Sequence, residues 1–351
     1  MDAANIASTG THELSKLLKQ PGNTPMESIH LHFEGGLRTI HLKMESQNPT
    51  GSVKDRTASG LLQSLEAQGR LHTGCVVVES TSGNLGVALS FLCKLKGYRF
   101  IAVVDPKTTQ ENIAKMQSLG AEIEMVEQPD ENGGYLISRL RRVQALCERN
   151  DEYVWPDQYS NPANPLIHYQ KTGPEIYAQM GGNVDALFIA VSTGGTLAGI
   201  SRFFREVSPS TIIVGVDAYG SIIFGTPAAP RKLTGIGSSR TSSFIKNDTF
   251  DSYRLVKDEE AFTFCRALWN STGIKVGGSS GAVLSACSRY LYDHAELSKV
   301  VCLVADDGDR YAQSIYSDEW LQQHGLELSV KHLEPVLNIE LALTKSVDMA
   351  G

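Results

Sequence analysis

The sequence predicts an α/β protein of two domains with mostly parallel sheets, and three observations predict it. Short apolar runs bounded by turns recur along the 351 residues and alternate with segments of helical period. Those runs are apolar throughout rather than at every second residue, as in strands covered on both faces and joined by helical crossovers. The length exceeds that at which a single core keeps growing, so two domains sharing a cleft are expected.

The elements follow in order. Residues 1–12 are polar, carry no basic region followed by an apolar stretch, and read as a flexible N-terminus rather than a secretory signal; a cytoplasmic location is expected. Segments 28–33 and 39–45 flank Glu34-Gly35-Gly36 and predict a hairpin. Residues 75–79, 100–105, 187–191, 212–217 and 300–305 read as buried strands, and 85–95, 109–119 and 135–149 as helices between them. A boundary is placed at 155–165, which holds three prolines and two asparagines. This gives a smaller domain of residues 47–160 and a larger one of 13–46 plus 161–329. Residues 330–351 carry no partner strand pattern and read as a tail or an oligomer contact.

Composition narrows the function. The net charge of -7, without a basic stripe, argues against nucleic acid, and the balance of 41% hydrophobic and 20% charged residues is that of a soluble protein with no membrane segment. The six cysteines are scattered without a CxxC pair and read as reduced core residues. His30 and His32 lack further ligands at metal spacing, so no metal is expected.

Four motifs carry chemistry. Lys54 lies in Asn48-Pro49-Thr50-Gly51-Ser52-Val53-Lys54-Asp55-Arg56, behind a turn of small residues. A lysine held there and partly desolvated can lose its proton and attack an aldehyde. Ser80-Thr81-Ser82-Gly83-Asn84-Leu85-Gly86 follows a strand and opens a helix, presenting hydroxyls and amide hydrogens to an anion such as an amino-acid carboxylate. Ser192-Thr193-Gly194-Gly195-Thr196 does the same, and its glycines let backbone N–H groups converge on a phosphate. It lacks both the GK[ST] ending of a Walker loop and the GxGxxG dinucleotide pattern. Val276-Gly277-Gly278-Ser279-Ser280-Gly281-Ala282 is a third strand-loop-helix element. Each alone also fits an ordinary strand-to-helix turn; three in one chain, with Gly235-Ile236-Gly237 and Asp306-Asp307-Gly308-Asp309-Arg310-Tyr311, point to a ligand site.

With these motifs the chain resembles the cysteine synthase and cystathionine beta-synthase group of fold-type II, tryptophan synthase beta-like enzymes that use pyridoxal 5'-phosphate (PLP), from Asn23-Thr24-Pro25 to about Trp320. The resemblance implies two three-layer α/β domains, PLP as cofactor, and a homodimer. It implies that Lys54 forms the Schiff base, that Asn84 bonds the phenolic oxygen, that Ser192, Thr193, Gly194, Gly195 and Thr196 hold the phosphate, and that Ser279 faces the pyridine nitrogen. Ser80, Thr81, Ser82, Gly83 and Gln158 would receive the substrate carboxylate, with Gly235 and Gly237 lining the cleft.

A narrower resemblance, through Glu79 to Gly86, Met125-Val126-Glu127, Gly133-Gly134-Tyr135-Leu136, Gly220-Ser221-Ile222-Ile223-Phe224-Gly225 and Gly308-Asp309-Arg310-Tyr311, is to a branch that joins O-phospho-L-serine to L-glutamate. Its product, N-(2-amino-2-carboxyethyl)-L-glutamate, passes to an NAD-dependent oxidase that releases L-2,3-diaminopropionate for siderophores. Tyr159 and Ser192 stand where sulfhydrylases carry Phe and Gly, and Arg139 matches an arginine that in this branch receives an acidic substrate; a guanidinium suits glutamate's carboxylates. The Ser-Thr-Gly-Gly-Thr loop, nearer the sulfhydrylase pattern, keeps cysteine synthesis from O-acetylserine or O-phosphoserine as an alternative. A serine/threonine dehydratase and a non-catalytic regulatory subunit of the same fold are further ones.

Overall fold

The computed structural model describes residues 20–131 and 133–342. The flexible terminus expected at 1–12 and the last nine residues of the tail lie outside the described residues. The larger sheet has seven strands in the order β11-β1-β2-β10-β7-β8-β9 and the smaller has four in the order β5-β4-β3-β6.

The expected hairpin is β1 (Met26–Phe33) and β2 (Gly36–Met44), paired antiparallel. The smaller sheet is built from β3 (Val76–Ser80), β4 (Arg99–Val104), β5 (Glu122–Met125) and β6 (Tyr153–Val154), all parallel. Helices α1 (Lys54–Ala67) and α2 (Asn84–Lys96) cover one face through Leu61, Leu62, Leu65 and Leu89, while Val143 of α4 (Leu136–Arg149) covers the other. α3 (Gln110–Ser118) packs beside α2 through Met116. Every residue of β3 is buried, as its unbroken apolar start requires, and each such Val contributes roughly 1.5–3 kcal/mol when fully buried.

In the larger sheet β7 (Ala186–Ala190), β8 (Ile212–Ala218), β9 (Ser252–Val256) and β10 (Val300–Val304) run parallel. α8 (Asp258–Thr272) and α9 (Gly278–Asp293) pack on one face. On the other lie α6 (Gly173–Gln179) and α7 (Gly195–Val207), with the short α5 (Ala163–Ile167) and a π-helical turn His168–Thr172 leading into them. α10 (Asp318–Gln323) follows β10.

One expectation is corrected. Residues 330–351 do not form a strandless tail through their described part: β11 (Asn338–Leu341) adds to the larger sheet antiparallel to β1, with Leu31 opposite Ile339. The signal was short, and Ile339 is its one buried residue, because an edge strand needs only one covered side. The larger sheet therefore extends past residue 329. Among the described residues no helix is long and apolar enough to cross a membrane.

The strand orders locate the site. From β3 the chain adds β4 and β5 on one side and returns to place β6 on the other; from β7 it adds β8 and β9 and returns to place β10 on the other side. Each reversal opens a crevice beyond the carboxyl ends of the two strands, where α/β sheets bind ligands. The loops leaving β3, β6, β7 and β10 meet there.

Candidate active site

Lys54 begins α1, and three ties hold it. The Val53 N–H donates to the Ala305 carbonyl at 2.8 Å, and the Ala305 N–H donates to Ser280 Oγ at 3.0 Å, linking the lysine to the end of β10 and the start of α9. Asp55, fully buried, accepts the Thr50 hydroxyl at 2.9 Å and the Thr50 and Ser52 N–H groups, closing the turn; burial pushes its carboxyl up to about 7. Arg56 forks onto Glu45 at 2.6 and 2.8 Å and onto Glu175 at 2.6 and 2.8 Å, and Lys43 reaches Glu175 at 3.0 Å. The turn therefore stands on a buried ion cluster anchored to β2 and α6. Burial lowers the Lys54 ammonium to about 8, against the opposing charge of Glu79, so a sizeable fraction is neutral amine near pH 8.

β3 ends in the first hydroxyl loop. Ser80 Oγ is buried with no hydrogen-bond partner and lines the cavity that holds Lys54. The Thr81 hydroxyl accepts the Gly86 N–H at 2.8 Å and so caps α2, which the sequence assigned to substrate contact. Ser82, Gly83 and Asn84 line the same cavity. The Asn84 amide donates to Asp306 at 2.7 Å and accepts from Arg310, which also donates to the Thr50 carbonyl at 2.7 Å. Asn84 thus presents its NH2 side toward Asp306, held in that orientation by a donor-only guanidinium.

Gln158 follows β6, and its placement depends on Glu79. That carboxylate, inside the buried β3, accepts the Trp155 indole at 3.1 Å, the Gln158 N–H at 3.2 Å and the Ser80 N–H at 2.8 Å; burial pushes it up to about 8. The Gln158 amide donates to the Ser80 carbonyl at 3.1 Å. Tyr159 lies beside Arg139 with its phenol pushed up to about 12 by burial.

The second loop, Ser192 to Thr196, leaves β7 and opens α7. Gly194 has φ +90°, and a Cβ there would overlap the Ser242 hydroxyl; a Cβ at Gly195 would overlap the Asn164 amide. Both positions therefore require glycine. A niche of about 30 Å³ lies between this loop, Gly235 and Lys54, and it shares Lys54, Ser192 and Gly235 with a neighbouring cavity of about 170 Å³. Ser279, 2% exposed at the second position of α9, faces that larger cavity. Gly235 lines it; Gly237 does not, and instead donates its N–H to the Val191 carbonyl at 2.7 Å, holding the segment 235–237 beside the end of β7.

Arg139, on α4, could have projected into solvent; it is 8% exposed and lines the cavity. Its Nε lies 3.2 Å from Asp105, yet neither Nε nor Nη1 has a hydrogen-bond partner of proper geometry. A buried guanidinium lining a cavity, with donors that lack well-aligned partners, suits an anion. The neighbouring Arg141 and Arg142 face elsewhere, toward Glu131 and Glu124.

The fold thus gathers Lys54, Ser80, Thr81, Ser82, Gly83, Asn84, Arg139, Gln158, Tyr159, Ser192, Gly235 and Ser279 around one cavity, with Thr193, Gly194 and Thr196 at the adjoining niche. Gly195 and Gly237 serve backbone geometry beside it. Sequence reasoning missed Glu79, Asp105, Asn164 and His168, and placed Asp306 at the ligand site without a role of its own. A carboxylate inside an all-buried strand was the available signal for Glu79; Asp306, flanking β10, is buried with one oxygen bonded to Asn84 and Tyr311 and the other free.

Three comparisons place the chain among known proteins. The family described as pyridoxal-phosphate dependent enzyme matches residues 17–306. The N-(2-amino-2-carboxyethyl)-L-glutamate synthase of Cupriavidus metallidurans is 39% identical over 91% of this chain and 94% of its own length, and that of Ralstonia nicotianae is 40% identical over 86% and 89%. The crystal structure of the O-acetylserine dependent cystathionine beta-synthase from Helicobacter pylori superposes with a TM-score of 0.78 at 30% identity, covering 86% of this chain and 98% of that one.

Proposed function

The chain belongs to the pyridoxal-phosphate dependent enzyme family, and on that premise we propose that it replaces the phosphate of O-phospho-L-serine with the amine of L-glutamate, giving N-(2-amino-2-carboxyethyl)-L-glutamate and phosphate. Its cofactor is PLP, and its reaction class is β-substitution. The residues fit the cofactor: an amine lowered to about 8 faces a niche whose glycines cannot carry side chains, and Ser80 and Arg139 leave buried polar atoms without partners toward the adjoining cavity. Bound PLP supplies an electron sink that loosens the α-proton and the β-leaving group of an amino acid.

The chain's own residues supply the rest. Lys54 takes the α-proton and later returns it, a role that needs an amine poised near neutral pH. The N–H groups opening α2 and the hydroxyls of Ser80 and Ser82 receive the substrate carboxylate. Loop Ser192 to Thr196, at the head of α7, receives the cofactor phosphate. Ser279, which lines the cavity, would offer the ring nitrogen a neutral hydroxyl, which cannot hold that nitrogen protonated and so would favour elimination over transamination. Closure of the smaller domain over the substrate would exclude water from the reaction.

The observation that carries the choice of glutamate is Arg139: a buried guanidinium, ion-paired to Asp105 through Nε, lines the cavity that holds Lys54, where an acidic nucleophile would place a carboxylate. The product would serve L-2,3-diaminopropionate formation for a siderophore or peptide, through an NAD-dependent oxidase acting next. A homodimer in the cytoplasm is the proposed setting. The second reading, cysteine synthesis, is favoured by the Ser-Thr-Gly-Gly-Thr loop and the O-acetylserine dependent relative. Phosphate and acetate release, measured with phosphoserine or O-acetylserine against glutamate or sulfide, separates the two. Turnover only with sulfide would remove the glutamate reading.

A further inference from the structure

The phosphate loop rests on a shelf formed by α5 and the π-helical turn after it. A Cβ at Gly195 would overlap Asn164, and one at Gly199 would overlap the Pro165 carbonyl, so the head of α7 lies directly on Asn164 and His168. Both residues are buried, at 1% and 0% exposure. Their hydrogen bonds have a direction. The Asn164 amide nitrogen donates to the Gln158 carbonyl at 2.7 Å and to the Thr193 hydroxyl at 3.2 Å. A carbonyl only accepts, so the amide orientation is fixed and Thr193 Oγ1 receives a hydrogen. Thr57, one turn beyond Lys54, donates its hydroxyl to Asn164 Oδ1 at 3.5 Å. With its hydrogen so placed, its oxygen is left to accept at its other contact, His168 Nε2, at 3.2 Å. The same ring nitrogen lies 3.3 Å from the Thr196 hydroxyl, and Nδ1 lies 2.9 Å from Thr172. Burial, with the nearby charges of Arg56 and Lys54, keeps the ring neutral, so only one nitrogen carries hydrogen.

We propose that Asn164 and His168 are positioning residues that set the polarity of the cofactor's phosphate cradle, with His168 held as its Nε2–H tautomer. Each then donates to a cradle hydroxyl, Asn164 to Thr193 and His168 to Thr196, so both hydroxyl hydrogens remain for phosphate oxygens, which accept and cannot donate. The opposite tautomer would draw the Thr196 hydrogen toward the ring and turn a lone pair to the phosphate. Because Thr57 shares the same nitrogen, the cradle and the lysine helix are registered through one imidazole. The inference rests on the reading that Ser192 to Thr196 hold the cofactor phosphate.

The test uses the holoenzyme labelled with ¹⁵N-histidine. Long-range ¹H–¹⁵N correlations are expected to show His168 protonated at Nε2 alone; protonation at Nδ1, or at both nitrogens, overturns the proposal. A second arm titrates the cofactor-free protein with PLP. His168→Leu is expected to weaken binding about tenfold, while His168→Gln, which keeps a donor near Nε2, stays within about threefold of the parent. Equal weakening by both overturns the donor role. In a Thr196→Val background, His168→Leu is expected to add little, and full additivity likewise overturns it. Should Thr196→Val alone bind PLP as the parent does, the phosphate reading fails, whichever tautomer is found. If His168→Leu does not fold, the tautomer measured in the unsubstituted protein still decides.

Discussion

Replacing Arg56 by Met removes the cation at the centre of the cluster under the lysine turn. The guanidinium is 1% exposed and makes four bonds of 2.6–2.8 Å to Glu45 and Glu175. Without it Glu175 keeps Lys43 at 3.0 Å, but Glu45, fully buried, keeps only the neutral Thr24 hydroxyl and Asn48 amide, both at 2.7 Å. Breaking a buried ion pair from one side costs about 3–5 kcal/mol. The titration of Glu175 gives a similar size: burial alone would raise it, yet Arg56, the Asn23 N–H and Lys43 hold it down to about 2 from an ordinary 4.5, worth roughly 3 kcal/mol. A folded-state value depressed in this way stabilises fully above pH 4.5 and is lost as pH falls toward 2. Urea denaturation of the parent and Arg56→Met at pH 7 is therefore expected to differ by about 3–5 kcal/mol, and the gap to narrow below pH 4.5. A gap under about 1 kcal/mol at pH 7, or one that widens on acidification, refutes the reasoning.

Three other outcomes follow from the site. The rate at which cofactor-free protein captures PLP should rise with pH through about 8, because burial lowers the Lys54 amine to that value; a midpoint near 10, followed by stopped-flow absorbance, would place the amine in ordinary solvent. Arg139→Ala should raise KM for glutamate at least about tenfold while leaving KM for phosphoserine within about threefold, and equal changes for both in steady-state kinetics would move Arg139 away from the nucleophile. Ser279→Asp should divert part of the flux to transamination, read as pyridoxamine phosphate by absorbance, and an unchanged product ratio removes Ser279 from the ring nitrogen.

What the sequence revealed depended on how local each cause is. Largely apolar runs marked β3, β4, β7, β8 and β10, since a strand covered on both faces is apolar through most of its length. The strands not foreseen are edges or short: Glu122–Met125 and Ser252–Val256 alternate weakly and carry charge, Tyr153–Val154 spans two residues, and Asn338–Leu341 has one buried residue. The three loops were visible because glycine and hydroxyl demands are written within a few adjacent residues. Roles set by distant contacts were not. Glu79 acts on Gln158 across 79 residues, Asn84 meets Asp306 across 222, and Asn164 reaches Thr193 across 29. Arg139 was ambiguous for the same reason, since only the packing of α4 beside the cleft buries it.

In the proposed reaction Lys54 runs a β-replacement whose nucleophile is the α-amine of glutamate. Mass spectrometry and NMR of the product from phosphoserine and ¹⁵N-labelled glutamate test it most directly. One equivalent of phosphate per product is expected, with the ¹⁵N bonded to the carbon that carried the phosphate and no product from Lys54→Ala. Pyruvate and ammonia in place of a labelled adduct, or adduct formation by Lys54→Ala at the parent rate, would contradict it.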